Sequence, residues 1–212
     1  MHKIIDLRIL STLNELHRKS KKEFPKILKG LSKGIFRKLR PEDMKDAFIA
    51  ISQQQGEFLY DLLITTKAKN IVEFGTSFGI STIYLAAAAK ETGGFVITSE
   101  LLPEKCKVAN NNFKKVGLDE FITLQEGNAV ETLVDTPNDI DFLLLDGWND
   151  LYLPLLKILE PKFRKGTLIY TDNTSFKSAK PFLNYLKKNP NKYSTKRIKD
   201  NIGGSELTEF IG

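Results

Sequence analysis

Polar groups recur along the chain wherever an apolar run gives way to a turn: Glu73 with Gly75, Glu100, Gly127 with Asn128, Asp146, and Asp172 with Asn173. Carboxylates and amides can accept from hydroxyls, hold a proton or ligate a hard cation. Which of these they do depends on whether the fold gathers them. Glu73 stands just before Gly75-Thr76-Ser77-Phe78-Gly79, which leads into the apolar stretch 80–89. Strand, glycine turn and helix in that order set backbone N–H groups and a positive helix end beside an anionic or polar ligand, and glycine tolerates both close approach and unusual backbone angles. A plain tight turn would use the same spacing. Glu100 lies 21 residues beyond Gly79, near the ~20-residue offset at which an acid grips ribose hydroxyls in dinucleotide-type folds. A solvated loop acid ahead of Pro103 is the competing reading. Gly-x-x-x-Gly lacks the three-glycine spacing that admits a pyrophosphate, and no phosphate-loop Lys-Ser or Lys-Thr follows, so an adenosine without phosphates fits better.

The surrounding pattern predicts the elements that would gather these groups. Strands are expected at 71–74, 95–98, 121–124, 140–145, 167–171, 193–198 and 206–211, with a turn at Gly203-Gly204. Segment 140–145 is apolar throughout except for Asp141, as suits a central parallel strand covered on both faces. Helices are expected after the capping box of Ser52 and Gln55, over 80–89, from Pro103 to the stop at Gly117, over 151–159 and over 179–188. Pro161 and Gly166 separate the fourth helix from the fifth strand. Repeated strand–helix units with right-handed crossovers make an open, doubly wound α/β sheet with its ligand at the carboxyl ends of the strands. All five polar groups fall at or just past such ends.

The N-terminal arm has a different character. Residues 1–40 hold 12 of the 32 Lys and Arg but 3 of the 26 Asp and Glu, a net of +9 against −3 for the remainder. Ile5, Ile9, Leu13 and Leu16 recur at helical spacing, and after Pro25 so do Leu28, Leu31, Ile35 and Leu39. Each stripe needs cover, from the main body or from a second subunit, which makes a homodimer the expected assembly. The lysines read as a solvated face, with contact to RNA or an anionic membrane as the alternative; Phe24 and Phe36 are the arm's aromatics. Pro41, Glu42 and Asp43 begin a new helical stretch, so the division expected is 1–40 and 41–212. No apolar run is long enough to span a bilayer, and Lys3, Asp6 and Arg8 interrupt residues 1–13 as they would not in a signal peptide, which gives a cytoplasmic expectation. The single Cys106 excludes an internal disulfide, and His2 and His17 both lie in the arm, so the main body does no histidine catalysis.

Glu73-Phe74-Gly75-Thr76-Ser77-Phe78-Gly79-Ile80-Ser81, together with Glu100, Glu126-Gly127-Asn128-Ala129, Asp146-Gly147-Trp148 and Asp172-Asn173, resembles the S-adenosylmethionine-dependent, metal-dependent O-methyltransferases of the catechol and caffeoyl-CoA type, in particular their bacterial members. The likeness spans residues 42–212. It implies a class I methyltransferase, Rossmann-like, with a mostly parallel seven-stranded sheet and an N-terminal helical extension. It further implies that Glu73, Gly75, Thr76, Ser77, Gly79 and Ser81 surround the methionine part of the cofactor, that Glu100 binds the ribose, and that Gly127, Asn128, Ala129 and Trp148 line the adenine, with Asp146 also beside the cofactor. Relatives often carry aspartate at Asn128, where an amide can still meet the adenine edge.

Asp146, Asp172 and Asn173 match the family's metal ligands. Three side-chain oxygens without sulfur or imidazole suit Mg²⁺ or another hard divalent cation, which would lower the pKa of an acceptor hydroxyl and orient it toward the methyl group. Taken singly, Asp172-Asn173 could be a turn or a helix cap and Asp146-Gly147 another turn. One departure touches catalysis: three residues after Asp146 relatives often place a lysine thought to take the acceptor's proton, and here Asn149 stands. An amide cannot be that base. The cation alone could acidify the acceptor, Asp150 or an arm lysine could serve, or turnover could be lost. The expectation is methyl transfer to a small hydroxylated, catechol-like acceptor, with Asp146 and Asn149 at the reacting centre. An RNA base-hydroxyl methyltransferase using residues 1–40 and a cofactor-binding protein without turnover are the alternatives.

Overall fold

The computed structural model describes residues 2–23, 43, 50–198 and 204–212. The second arm helix expected over 28–39, Phe24, Phe36, the helical start at Pro41 and Gly203 of the expected turn lie outside them. The first arm helix, α1 (Leu7–Lys22), is present. Asp6 caps it by accepting from the amides of Arg8 and Ile9, and Lys19, Lys21 and Lys22 end it, where cations complement the helix dipole. Ile9, Leu13 and Leu16 are buried as the spacing predicts. Ile5 is not: it precedes the helix and is 83% exposed.

The main body alternates strand and helix in the expected order. Helix α2 (Gln53–Thr66) begins at the capping box of Ser52 and Gln55 and ends with Lys67 in the left-handed region. Then follow β1 (Asn70–Phe74), α3 (Ile80–Thr92), β2 (Phe95–Glu100), α4 (Pro103–Val116), β3 (Ile122–Glu126), the single turn α5 (Ala129–Thr132) and β4 (Ile140–Leu145). The last part comprises α6 (Tyr152–Leu159), β5 (Phe163–Thr171), α7 (Lys180–Lys188), β6 (Tyr193–Ile198) and β7 (Ser205–Phe210). Strand β5 starts earlier than the sequence suggests. Gly166, expected to precede it, lies inside it at φ 91°, where the register with β4 shifts between Ile140 and Phe142. Five residues of β5 stand opposite two of β4 there, so the glycine sits in an irregularity inside the strand, where Thr167 Oγ1 bonds to the backbone of Arg164.

The sheet order is β3-β2-β1-β4-β5-β7-β6. The first five strands are parallel, and β7 pairs antiparallel with both β5 and β6. Because the order reverses between β1 and β4, the helices on either side of that point cover opposite faces, leaving a crevice at the strand ends. Side chains alternate accordingly. Ile71, Phe142 and Leu144 join one core with α1, α2, α3 and α4, whereas Val72, Phe74, Leu143 and Leu145 join the other with α6 and α7. Asp141, the polar exception in β4, sits at the opposite edge. Its Oδ2 accepts from the amides of Lys69 and Asn70, and its Oδ1 accepts from Arg164. Against desolvation, these amides and the guanidinium hold its carboxyl below the usual range.

Helix α3 is apolar all round, and residues 80–89 are all buried. It is enclosed by the sheet, α2 and α1. Close approach is required where α2 crosses it: a Cβ on Gly56 would stand 2.2 Å from the Tyr84 ring. The stripe of α1 therefore covers its own main body, against α3 and α4. Burying each of Ile9, Leu13 and Leu16 contributes roughly 1.5–3 kcal/mol.

His17 joins that contact, its Nε2 3.2 Å from the Tyr84 hydroxyl. Burial lowers its pKa, the Lys21 charge adds to this, and Glu57 opposes it. The neutral ring is thus favoured in the folded state. Its contribution to stability is complete above about pH 6.5, the unfolded value, and is lost as pH falls through the lower folded value. Amide exchange in α1 should accelerate as pH drops below about 6.5 after correction for intrinsic rates, and His17→Phe should remove that dependence.

Candidate active site

The crevice is built from the carboxyl ends of β1, β2, β4 and β5. Backbone bonds fix its rim: Asp146 N donates to Phe74 O, Asp172 N to Leu145 O, and Gly127 N to Glu100 O. Gly75 is the tightest point. A Cβ there would lie 2.7 Å from the Asp146 carbonyl oxygen, and its φ is +107°, so the turns after β1 and β4 touch backbone to backbone. Gly79 has another reason to be glycine. Its missing Cβ points at Phe113, 2.4 Å away, so this residue seats the start of α3 against α4. The amides of Gly75 and Thr76 both bond to Ser99 O, that of Gly79 to Thr76 O, and that of Ser77 to Glu100. The turn's own N–H groups are therefore largely spent within the protein. The first amides of α3 have no partner within the helix and point toward the turn.

Glu73 is fully buried. Its Oε2 accepts from the hydroxyls of Thr82 at 2.5 Å and Thr98 at 2.6 Å, while Oε1 has no hydrogen-bonding partner among the described residues. Desolvation pushes this carboxyl up, the hydroxyls of Ser81, Thr82 and Thr98 oppose that, and the Glu100 charge adds to the rise. Glu100 is held by the amides of Ser77 at 2.9 Å and Leu102 at 3.0 Å, one on each oxygen. Each oxygen keeps a second lone pair for another donor. Lys105, not singled out by the sequence, lies 5.4 Å over the Phe78 ring, and burial lowers its pKa despite the Glu100 charge. Asn128 caps α5, accepting from Val130 N and donating to Glu131. Ala129 is buried behind it, and Trp148 packs against the second core.

Asp146, Asp172 and Asn173 come together as their sequence positions predict. The Asn173 amide nitrogen is 3.2 Å from Asp172 Oδ2 and 3.5 Å from Asp146 Oδ1, so it stands between two carboxylates. Asn173 adopts φ 58°, a left-handed conformation that asparagine tolerates. Desolvation, then the charges of Asp172 and Glu73, push the Asp146 carboxyl well above the usual carboxylate range. Among the described residues no three His, Cys, Asp or Glu side chains cluster as metal ligands; the third polar group beside the two carboxylates is the Asn173 amide. The set fits a hard cation: two repelling carboxylates favour positive charge between them, and a half-turn of the amide brings its oxygen to the same point.

Several contributors escaped the sequence reading. Asp172 Oδ1 accepts from Ser205 at 2.6 Å and from Gln55 at 3.3 Å. Gln55 was legible as a helix cap, yet its amide nitrogen also reaches the sheet edge, while its Oε1 accepts from Ser52 N. Tyr152 donates toward the carbonyls of Gly147 and Asp172. Asn149 does lie here, its amide donating to Asn173 O at 3.3 Å, so it links the turns after β4 and β5. Asp150 is exposed at the rim.

Comparison with known proteins gives this geometry a setting. Residues 18–188 match the family described as O-methyltransferase, a match that starts within α1. The catechol O-methyltransferase of Niastella koreensis is 33% identical over 129 residues, covering 59% of this chain and 58% of the relative. That of Mycobacterium tuberculosis is 35% identical over 129 residues, covering 59% and 57%. The chain thus aligns with under three-fifths of the length of these curated relatives. An O-methyltransferase from Bacillus cereus solved in complex with SAH shares the fold, with a TM-score of 0.73 at 22% identity over 94% of this chain and 90% of that one. An SAH-bound methyltransferase from Podospora anserina gives 0.76 at 18% identity over 100% and 90%. The fold is therefore the Rossmann-like one of methyltransferases.

The contact at Gly75 can be tested against a glycine of similar backbone. Gly93 has φ +70° and open space where its Cβ would be, so Gly93→Ala should cost about 1–2 kcal/mol from strain alone. Gly75→Ala, which also collides with backbone, should cost at least about 1 kcal/mol more. Urea unfolding of the two variants measures the difference.

Proposed function

The chain belongs to the O-methyltransferase family, and from that premise we propose that it transfers a methyl group from S-adenosylmethionine to a hydroxyl of a small, catechol-like acceptor held beside a divalent cation. The observation that carries this reading is the meeting of Asp146, Asp172 and Asn173 next to Glu73 and Glu100 on one sheet edge. On this reading Glu100 accepts from the ribose hydroxyls with the lone pairs its backbone amides leave. Glu73 Oε1, without a hydrogen-bonding partner among the described residues, would face the methionine ammonium, and Ser81 with the first amides of α3 would meet the methionine carboxylate. Thr76, Ser77 and Gly127 shape the wall, and Asn128, Ala129 and Trp148 flank the adenine.

Asp146, Asp172 and Asn173 would hold Mg²⁺ or a similar cation. When bound, it supplies positive charge that lowers the pKa of the acceptor hydroxyl and fixes its direction. The chemical step is a displacement: an acceptor oxygen lone pair forms the O–C bond, and the C–S bond breaks with its electrons going to sulfur. The hydroxyl proton leaves to water or to the exposed Asp150. Asn149 does not take it; its amide, tied to Asn173 O, serves to hold the turn. Loss of turnover with cofactor binding retained is the competing reading that this asparagine keeps open.

Calorimetry should detect S-adenosylmethionine binding, weakened about 10- to 100-fold in Glu100→Ala, the scale of a lost charged hydrogen bond. Absence of binding heat in the unaltered chain would sink every methyltransferase reading. Labelled methyl transfer to a catechol panel should stop on chelation and fall by about 100-fold or more in Asp172→Ala, since several kcal/mol of charge stabilisation disappear. Cofactor binding without transfer to any acceptor, coupled with activity gained in Asn149→Lys, would favour the protein without turnover.

A further inference from the structure

The two acidic turns of the site are joined by a group that neither the sequence pattern nor the proposed ligand set includes. Tyr152 is wholly buried. Its hydroxyl lies 3.3 Å from the carbonyl oxygen of Gly147, the residue after Asp146, and 3.2 Å from the carbonyl oxygen of Asp172 itself. One O–H is shared between two acceptors, one from each turn. The ring is fixed from both sides: Phe74 meets it edge-on at 6.3 Å and Phe182 at 5.9 Å. Phe74 is itself held under the β4 turn, because a Cβ on Gly147 would stand 2.4 Å from its ring.

We infer that Tyr152 is a positioning residue that sets the separation of the Asp146 and Asp172 carboxylates by clamping the backbones of their turns, and so tunes the affinity of the site for a divalent cation. The inference rests on the metal reading proposed above. Its physical basis is that strand pairing fixes β4 against β5 only as far as Leu145 and Thr171. Beyond those residues, Asp172 N bonds back to Leu145 O and the Asn149 amide reaches Asn173 O, but neither bond touches the Gly147 carbonyl. The tyrosine hydroxyl joins that carbonyl to the opposite turn from beneath, in a place water does not reach. Without it, both carbonyls lose a buried donor, and each turn can relax along its own course under the repulsion of the carboxylates. A cation that needs both carboxylates at one distance then binds less tightly, since groups behind metal ligands typically alter affinity by about 10- to 100-fold.

Tyr152→Phe keeps the ring and its packing and removes only the hydroxyl. Mn²⁺ serves as the probe, titrated by electron paramagnetic resonance into the full chain. The expected result is Mn²⁺ affinity about 10-fold weaker in Tyr152→Phe with S-adenosylmethionine affinity unchanged within about twofold. Tyr185→Phe, which removes a hydroxyl bonded to Glu160 away from the crevice, should behave as the unaltered protein. The chain's single tryptophan, Trp148, lies on the clamped turn and gives a readout that needs no metal. Its acrylamide quenching should rise in Tyr152→Phe and not in Tyr185→Phe. Equal Mn²⁺ affinity in Tyr152→Phe and the unaltered chain, or a parallel loss of Mn²⁺ and cofactor binding, would overturn the clamp while leaving the metal reading intact. No Mn²⁺ binding by the unaltered chain would overturn both, a different and distinguishable result.

Discussion

Three acidic residues, Glu73, Asp146 and Asp172, stand at the ends of β1, β4 and β5, close enough for the charges of Glu73 and Asp172 to act on Asp146, and much of the local structure answers the problem this creates. Parallel pairing brings the ends level, while the covered sheet removes the water that would screen them. Desolvation first, and then neighbouring negative charge, pushes the carboxyls of Asp146 and Glu73 up. The chain responds with donors: Thr82 and Thr98 on Glu73, Ser205 and Gln55 on one oxygen of Asp172, and the Asn173 amide between Asp146 and Asp172. These neutral groups supply hydrogen bonds but no compensating charge, and the Asp146 carboxyl stays raised, by burial first and by the Asp172 and Glu73 charges after it. On the proposed reading the balance comes from ligands, a sulfonium and an ammonium on the cofactor and a divalent cation beside the acceptor. The same electrostatic imbalance that strains the free site would favour binding.

The glycine turn illustrates how one motif divides its labour. Gly75 lets the β1 turn touch the Asp146 backbone, and Gly79 lets α3 close on Phe113. Neither explanation involves a ligand. The turn's amides mostly bond to Ser99, Thr76 and Glu100, so it acts as a frame that orients Glu100 and presents the start of α3. On the proposed reading it would contribute to binding through that frame more than through direct contact by its N–H groups.

Asn149 also finds its place in this frame. Where a lysine would bring a mobile amine, the amide donates to the Asn173 carbonyl and adds a second tie between the turns after β4 and β5. Tyr152 lies below it and bonds to the same pair of turns. The rim between the two acidic strands thus carries ties from both Asn149 and Tyr152, which on the proposed reading would help hold the two carboxylates at a fixed separation.

Local pattern determined a great deal. Alternation and helical spacing placed all seven strands and the longer described helices but not the single turn Ala129–Thr132, the capping box at Ser52 and the stop at Gly117 were correct, and the polar groups at the strand ends did converge on one edge. These features are legible because period, caps and turns depend on residues a few positions apart. Ile5 and Gly166 misled: an apolar residue at helical spacing can precede its helix, and a glycine can be absorbed in an irregularity within a strand. Tertiary structure alone decided the rest. It put the α1 stripe on its own main body, gave Gly79 a packing role, and recruited Gln55, Ser205 and Tyr152 behind Asp146 and Asp172. Gln55 and Asp172 are 117 residues apart, and no local spacing encodes such a pairing. Their meeting follows from the strand order, which brings together segments that have no signature in common except the edge they share.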